Sequence, residues 1–110
     1  MHITDYNLNN VIAIVDRNKL SVTDVITDNA VFKLLPVALK HLGWFYKEID
    51  GHSLKECLTV LNQAKNSDKP SFIIANTIKG KGVSYMENEL KWHHSVPTKE
   101  QLDIAYKELK

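Results

Sequence analysis

The feature that most restricts the fold of this chain is the stretch Asn10-Val11-Ile12-Ala13-Ile14-Val15-Asp16-Arg17-Asn18-Lys19-Leu20. Branched apolar residues in a short unbroken run, with asparagines before and a polar cluster after, predict a buried strand over about residues 11–15 in a parallel sheet. Ligands of open α/β sheets gather at the carboxyl ends of strands. Asp16, Asn18 and the carbonyls of that tip are oxygen donors suited to a hard metal ion or to a partner of a phosphate, and Asx side chains equally favour a simple strand-end turn.

The rest of the chain supplies partners for that strand. Residues 19–30 have no clean period and predict a loop over the sheet edge. Leu35, Ala38, Leu39 and Leu42 then mark one face of a helix, with Pro36 in an opening turn and Gly43 as a left-handed stop. Alternation over Trp44–Asp50 predicts a second, outer strand. Ser53 and Glu56 form a capping-box pattern, and Leu54, Cys57, Leu58, Leu61 and Ala64 stripe the next helix. Phe72 to Ile78 is too evenly apolar for a half-exposed strand and belongs in the sheet interior beside the first. Strand, helix, strand, helix, strand is the order of an α/β fold with a partial doubly wound parallel sheet and helices packed on it.

Beyond Ile78, Lys79-Gly80-Lys81-Gly82 offers either backbone N–H groups and cations to an anion or a plain turn with solvated lysines. It is no P-loop, since Gly-x-x-x-x-Gly-Lys-Ser/Thr occurs nowhere in the chain. Val83 to Lys91 reads as an ordered loop or one short amphipathic turn. Trp92-His93-His94 places two imidazoles on a predicted extended loop, where neighbours point different ways and do not chelate one ion together. Thr98 and Gln101 repeat the capping-box pattern before a final helix striped by Leu102, Ala105, Tyr106 and Leu109.

Composition excludes several functions. Fourteen basic residues against thirteen acidic ones leave a formal net charge of +1, too weak a field for nucleic acid or an anionic membrane. No segment approaches the ~20 apolar residues that cross a bilayer. The single Cys57 forms no internal disulfide, and a cytoplasmic, unprocessed chain is the expectation.

Several stretches together, in order and spacing, closely resemble transketolase: residues 10–19, Gly43-Trp44, Glu48 to His52, Lys69-Pro70, Thr77 to Ser84, Met86-Glu87-Asn88 and Trp92-His93. The likeness runs from about Leu8 to Leu109. It is to the diphosphate-binding domain of thiamine-diphosphate enzymes, in the form found in split transketolases whose N-terminal half is a separate subunit. Residues 1–110 are then one partial domain, its C-terminal part.

The resemblance implies roles at particular positions. Asn18 matches the Asn that ends the cofactor motif and donates oxygen to Mg²⁺, and Leu20 gives a backbone carbonyl to the same ion. Val22 and Ile78 match apolar positions packed against the cofactor rings. His93 matches a catalytic-site histidine beside the diphosphate and the substrate channel, and His94 has no assigned role. The Gly-Asp-Gly that opens the motif is absent, and with it the acidic ligand. The implied activity is transfer of a two-carbon ketol unit between sugar phosphates. Its required partners are an upstream segment and a pyrimidine-binding C-terminal subunit, and the chain alone is expected to be inactive. A non-catalytic interaction module of the same fold, and another thiamine-diphosphate enzyme such as deoxyxylulose-phosphate synthase, are the alternatives. The sheet edge left by the absent segments, with the buried first strand at or near it, also implies self-association or a need for a partner.

Overall fold

The computed structural model describes residues 2–20 and 30–110, with the side chains of Ala30 and Val31 outside the description. Its elements are α1 (His2–Asp5), β1 (Ile12–Arg17), α2 (Ala30–His41), β2 (Phe45–Asp50), α3 (Leu54–Lys65), β3 (Ser71–Asn76), a 3-10 turn at Leu90–His93 and α4 (Lys99–Glu108). The chain divides into two compact units, one of residues 1–17 and 28–77, the other of residues 18–27 and 78–110.

The first unit is built on a three-stranded, all-parallel sheet in the order β1-β3-β2. β3 takes the centre because its sequence suits burial on both faces: Ile73 and Ile74 point to opposite sides and are both fully buried. The expected strand over 72–78 is thus present at Ser71–Asn76, and Ile78 falls beyond its end. On one face, α3 lays Val60 and Ala64 on Ile73, with Phe45 and Ile49 of β2 packed alongside. On the other, Leu39 of α2 and Trp44 are buried, and the Trp44 indole meets Phe72 edge-on while its Nε1 donates to the Thr4 hydroxyl at 3.1 Å. α2 stops at Gly43, whose φ of +78° is the left-handed conformation glycine adopts without steric cost.

Four expectations need correction. β1 runs Ile12–Arg17 and forms an edge of the described sheet, with alternate residues exposed; Ile14 keeps 56% of its surface in solvent. Its branched residues look buried in sequence because both faces are apolar, yet α3 covers β2 and β3 and leaves the β1 side of that face bare. Pro36 lies inside α2, where it removes one intrahelical hydrogen bond, and so does not open the helix. The stripe on α3 is correct only in part: Cys57 and Ala64 turn inward as expected, joined by Val60, but Leu54, Leu58 and Leu61 are exposed. Of the stripe expected on α4, Ala105 alone is buried, and Leu102, Tyr106 and Leu109 remain exposed.

The second unit holds α4 against the turns that follow Ile78. The Thr98 hydroxyl accepts from the Gln101 N–H and the Gln101 side chain from the Thr98 N–H, so both capping bonds form. At α3 half of that arrangement exists: Ser53 accepts from the Glu56 N–H, but the Glu56 carboxylate receives the N–H of Asp50 instead. Ser84 donates its N–H and its hydroxyl to the Glu108 carboxylate at 2.7 and 2.6 Å, tying the last turn of α4 to the loop. Among the described residues, no helix is long and apolar enough to cross a membrane.

Candidate functional site

All three strands are parallel, so their carboxyl ends lie on one side of the sheet, and polar residues concentrate there. In register, Arg17 of β1 sits beside Asn76 of β3, which sits beside Asp50 of β2. Glu48 gathers the group: its carboxylate pairs with Arg17 at 3.1 Å and accepts from the Asn76 amide at 3.0 Å and the Tyr46 hydroxyl at 3.3 Å. Burial and the Glu48 charge push the Tyr46 phenol up from its ordinary value. The Thr77 hydroxyl donates to the Asp16 carboxylate. These contacts rigidify the strand tips. The sequence signalled their polarity, but the grouping depends on a register that only the fold supplies.

Asn18 follows β1 directly and is half-buried. Its Oδ1 accepts the N–H of Leu20 at 3.0 Å, an Asx turn with Lys19 at its centre in the left-handed region, φ +62°. One lone pair of the amide oxygen is used by that bond; a carbonyl-type oxygen carries a second. Val22 lies outside the described residues. Ile78 is half-buried beyond the end of β3.

From Ile78 onward the chain folds back through tight turns. Gly80 has φ +74°, and a Cβ there would approach the Met86 carbonyl oxygen to 2.5 Å, so this turn admits no other residue without displacement of backbone. The Asn88 N–H donates to the Lys79 carbonyl at 3.0 Å and closes the loop. The stretch 83–91, ambiguous in sequence, is thus a run of turns leading into the 3-10 turn at Leu90–His93. Trp92 anchors that turn through its Nε1, which donates to the Tyr85 carbonyl at 2.7 Å, and through its ring, 5.1 Å from that of Tyr85.

This folding brings Lys79 to His93, Nζ to Nδ1, at 3.5 Å. An ammonium only donates, so a hydrogen bond here requires Nδ1 to accept, which in a neutral ring leaves the proton on Nε2. The result is an exposed site with two donors, a cation and an N–H, suited to an anionic oxygen. Reading Lys79 as a solvated turn residue misses this contact, for which a sequence separation of fourteen leaves no local signal. The expected extended loop with the two rings apart is not found: His93 and His94 close the 3-10 turn and meet edge-on, ring centroids 4.4 Å apart. No hydrogen bond or ring contact among the described residues links Asn18 or Leu20 to His93.

As a metal centre the donor set is incomplete. Asn18 and Leu20 offer two neutral oxygens, Mg²⁺ takes about six in a near-ideal octahedron, and no group of three or more His, Cys, Asp or Glu residues able to hold an ion occurs among the described residues. The residues present therefore do not fit a complete Mg²⁺ site.

Residues 3–109 match the family model described as the transketolase, thiamine diphosphate binding domain. The chain is 35% identical over 105 residues to one of the subunits of the apulose-4-phosphate transketolase of Phocaeicola vulgatus, covering 94% of this chain and 37% of that protein. It is 36% identical over 103 residues to the 6-deoxy-6-sulfo-D-fructose transketolase subunit SqwG of a Clostridium species, covering 93% and 38%. The crystal structure of transketolase from Campylobacter jejuni superimposes with a TM-score of 0.82 at 28% identity, over 98% of this chain and 17% of that one. The chain thus spans little more than a third of the length of the subunits it matches. By sequence and by fold alike, it belongs to the transketolase thiamine diphosphate-binding domain family.

Proposed function

We propose that this chain is the diphosphate-side portion of a split transketolase and acts in ketol transfer between sugar phosphates when missing segments and a pyrimidine-binding partner subunit complete it. The observation that carries the reading is the Asn18–Leu20 turn at the carboxyl end of a parallel strand, within a chain matched to this family almost from end to end. In that assembly Asn18 Oδ1 and the Leu20 carbonyl would supply two oxygens toward Mg²⁺ and the cofactor diphosphate, the remaining ligands coming from elsewhere. Ile78 would pack against the cofactor rings, a role that the resemblance also assigns to position 22. Lys79 and the Nε2 proton of His93 neutralise and orient anionic oxygens of cofactor or substrate. Their work is positioning and charge compensation, in a cytoplasmic setting.

Relatives named as individual subunits of transketolases support the need for a second subunit, and the incomplete donor set supports the need for further chain. That same incompleteness favours a second reading, an interaction module that keeps the fold without the chemistry. Isothermal titration of thiamine diphosphate with Mg²⁺ into the isolated chain is expected to give no binding heat. A micromolar dissociation constant would overturn the assignment of ligands to segments outside this chain.

A further inference from the structure

The stretch Lys79-Gly80-Lys81-Gly82, open in sequence to an external anion, already holds an internal one. The Gly82 N–H donates to Glu87 Oε1 at 3.0 Å, and the Lys81 ammonium lies 3.6 Å from the same oxygen. The Lys81 N–H is spent on the Ile78 carbonyl. The Glu87 carboxylate thus takes the place in this turn that an anionic ligand would take. Of the two lysines, Lys81 is turned to Glu87 and Lys79 to His93.

The two contacts of Glu87 differ in weight. Its ion pair with Lys81 is part-exposed, and such pairs contribute little. The bond from the Gly82 N–H is charge-assisted and acts on the main chain itself. Gly82 presents that N–H from the left-handed region, φ +93°, where glycine meets no steric cost.

Both members of the Lys79–His93 pair hang from the segment that Glu87 holds. Asn88, the next residue, sits in the left-handed region at φ +58°, which a residue with a Cβ adopts at a steric cost, and its N–H donates to the Lys79 carbonyl at 3.0 Å. On its far side the Glu89 carbonyl accepts the Trp92 N–H at 3.3 Å, at the turn that ends in His93. The bond between Gly82 and Glu87 therefore closes the loop across which Lys79 and His93 meet. Without it, Asn88 relaxes out of its costly conformation and the Lys79 carbonyl loses its donor.

We propose that Glu87 is a positioning residue for the Lys79–His93 anion site: its carboxylate fills the Gly80–Gly82 turn from within the chain and so sets the Lys79 ammonium against the His93 ring before any ligand arrives. The ligand class is a phosphate or diphosphate oxygen. The inference rests on the reading that this pair faces anionic oxygens of cofactor or substrate. Glu87 itself touches neither, and acts through the main chain of residues 79–93.

Proton NMR of the full chain tests both steps. In the wild type an Overhauser contact is expected between the Lys79 Hε protons and the His93 ring, and millimolar inorganic phosphate shifts the ring resonances. Glu87→Ala is expected to erase that contact and to raise the apparent dissociation constant for phosphate at least ~5-fold, as the competent arrangement falls to a fraction of the population, with the circular dichroism unchanged. Glu87→Gln keeps an oxygen for the Gly82 N–H and is expected to keep contact and affinity, which separates the hydrogen bond from the charge. A contact that survives Glu87→Ala, or a Glu87→Gln that loses it, would overturn the role of Glu87 and leave the anion reading untouched. A wild-type ring that phosphate leaves unmoved would overturn the anion reading, and the proposal with it. Where Glu87→Ala does not fold, the Gly82 amide of the wild type decides: solvent exchange slower than in an unstructured peptide supports the bond to Glu87, and exchange at that peptide's rate overturns it.

Discussion

Lys79 Nζ lies 3.5 Å from Nδ1 of His93, across a loop of turns closed by the Asn88 N–H on the Lys79 carbonyl. A hydrogen bond across this contact requires a neutral His93 to hold its proton on Nε2. Long-range ¹⁵N–¹H correlation spectra at pH values where the ring is neutral are expected to show the Nε2–H form. Replacing Lys79 with Met frees Nδ1 and allows the other tautomer to appear. An Nδ1–H signal in the wild-type chain would contradict the geometry.

The Ser84–Glu108 clamp gives a pH-dependent contribution to stability. The Ser84 hydroxyl, and after it the Ser84 N–H, hold the Glu108 carboxyl below its ordinary value of 4.5. A depressed carboxylate stabilises the fold above its unfolded pKa, and that contribution fades as pH falls through the lower folded value. Ser84→Ala is expected to raise the Glu108 pKa toward 4.5, read by NMR titration of its side-chain carbon. Urea unfolding should then depend less on pH on the acid side of that value. A Glu108 titration unchanged by Ser84→Ala would contradict the clamp.

Packing on α3 separates two kinds of apolar residue. Ile73, buried under α3, should lose ~2–5 kcal/mol as Ile73→Ala, through lost transfer energy and a cavity. Leu58, exposed on the same helix, should change by ~0.5 kcal/mol or less as Leu58→Ala. Urea midpoints of the two variants check this, and a Leu58→Ala loss as large as that of Ile73→Ala would place the wrong face of α3 on the sheet.

That contrast also marks where sequence reasoning succeeds and stops. The even apolar character of Phe72-Ile73-Ile74 placed β3 at the centre, because a residue buried on either face needs no partner to announce itself. On α3 the expected stripe joined Leu54, Leu58 and Leu61 to Cys57 and Ala64; Cys57 and Ala64 do turn inward, together with Val60, and the three leucines do not. The helix lays its smaller residues on the sheet, which lets it approach Ile73. β1 was misjudged for the reverse reason: its pattern records a capacity for burial that the described part of the fold does not use. At the candidate site, the turn at Asn18 was legible as Asx chemistry at a strand end. The Lys79–His93 contact was not, since it depends on the path of the turns between them.

The central claim is that Asn18 and its neighbours are one side of a cofactor cradle whose other side lies in chain outside this one. The most direct measurement is isothermal titration of thiamine diphosphate, with Mg²⁺, into a chimera in which this chain replaces the segment it matches in the Phocaeicola vulgatus transketolase subunit, in complex with that subunit's own partner. The expected result is saturable binding that weakens at least ~10-fold on Asn18→Ala, a loss on the scale seen when metal-site residues are removed. A folded chimera that takes up no cofactor, or one whose affinity is indifferent to Asn18→Ala, would contradict the account.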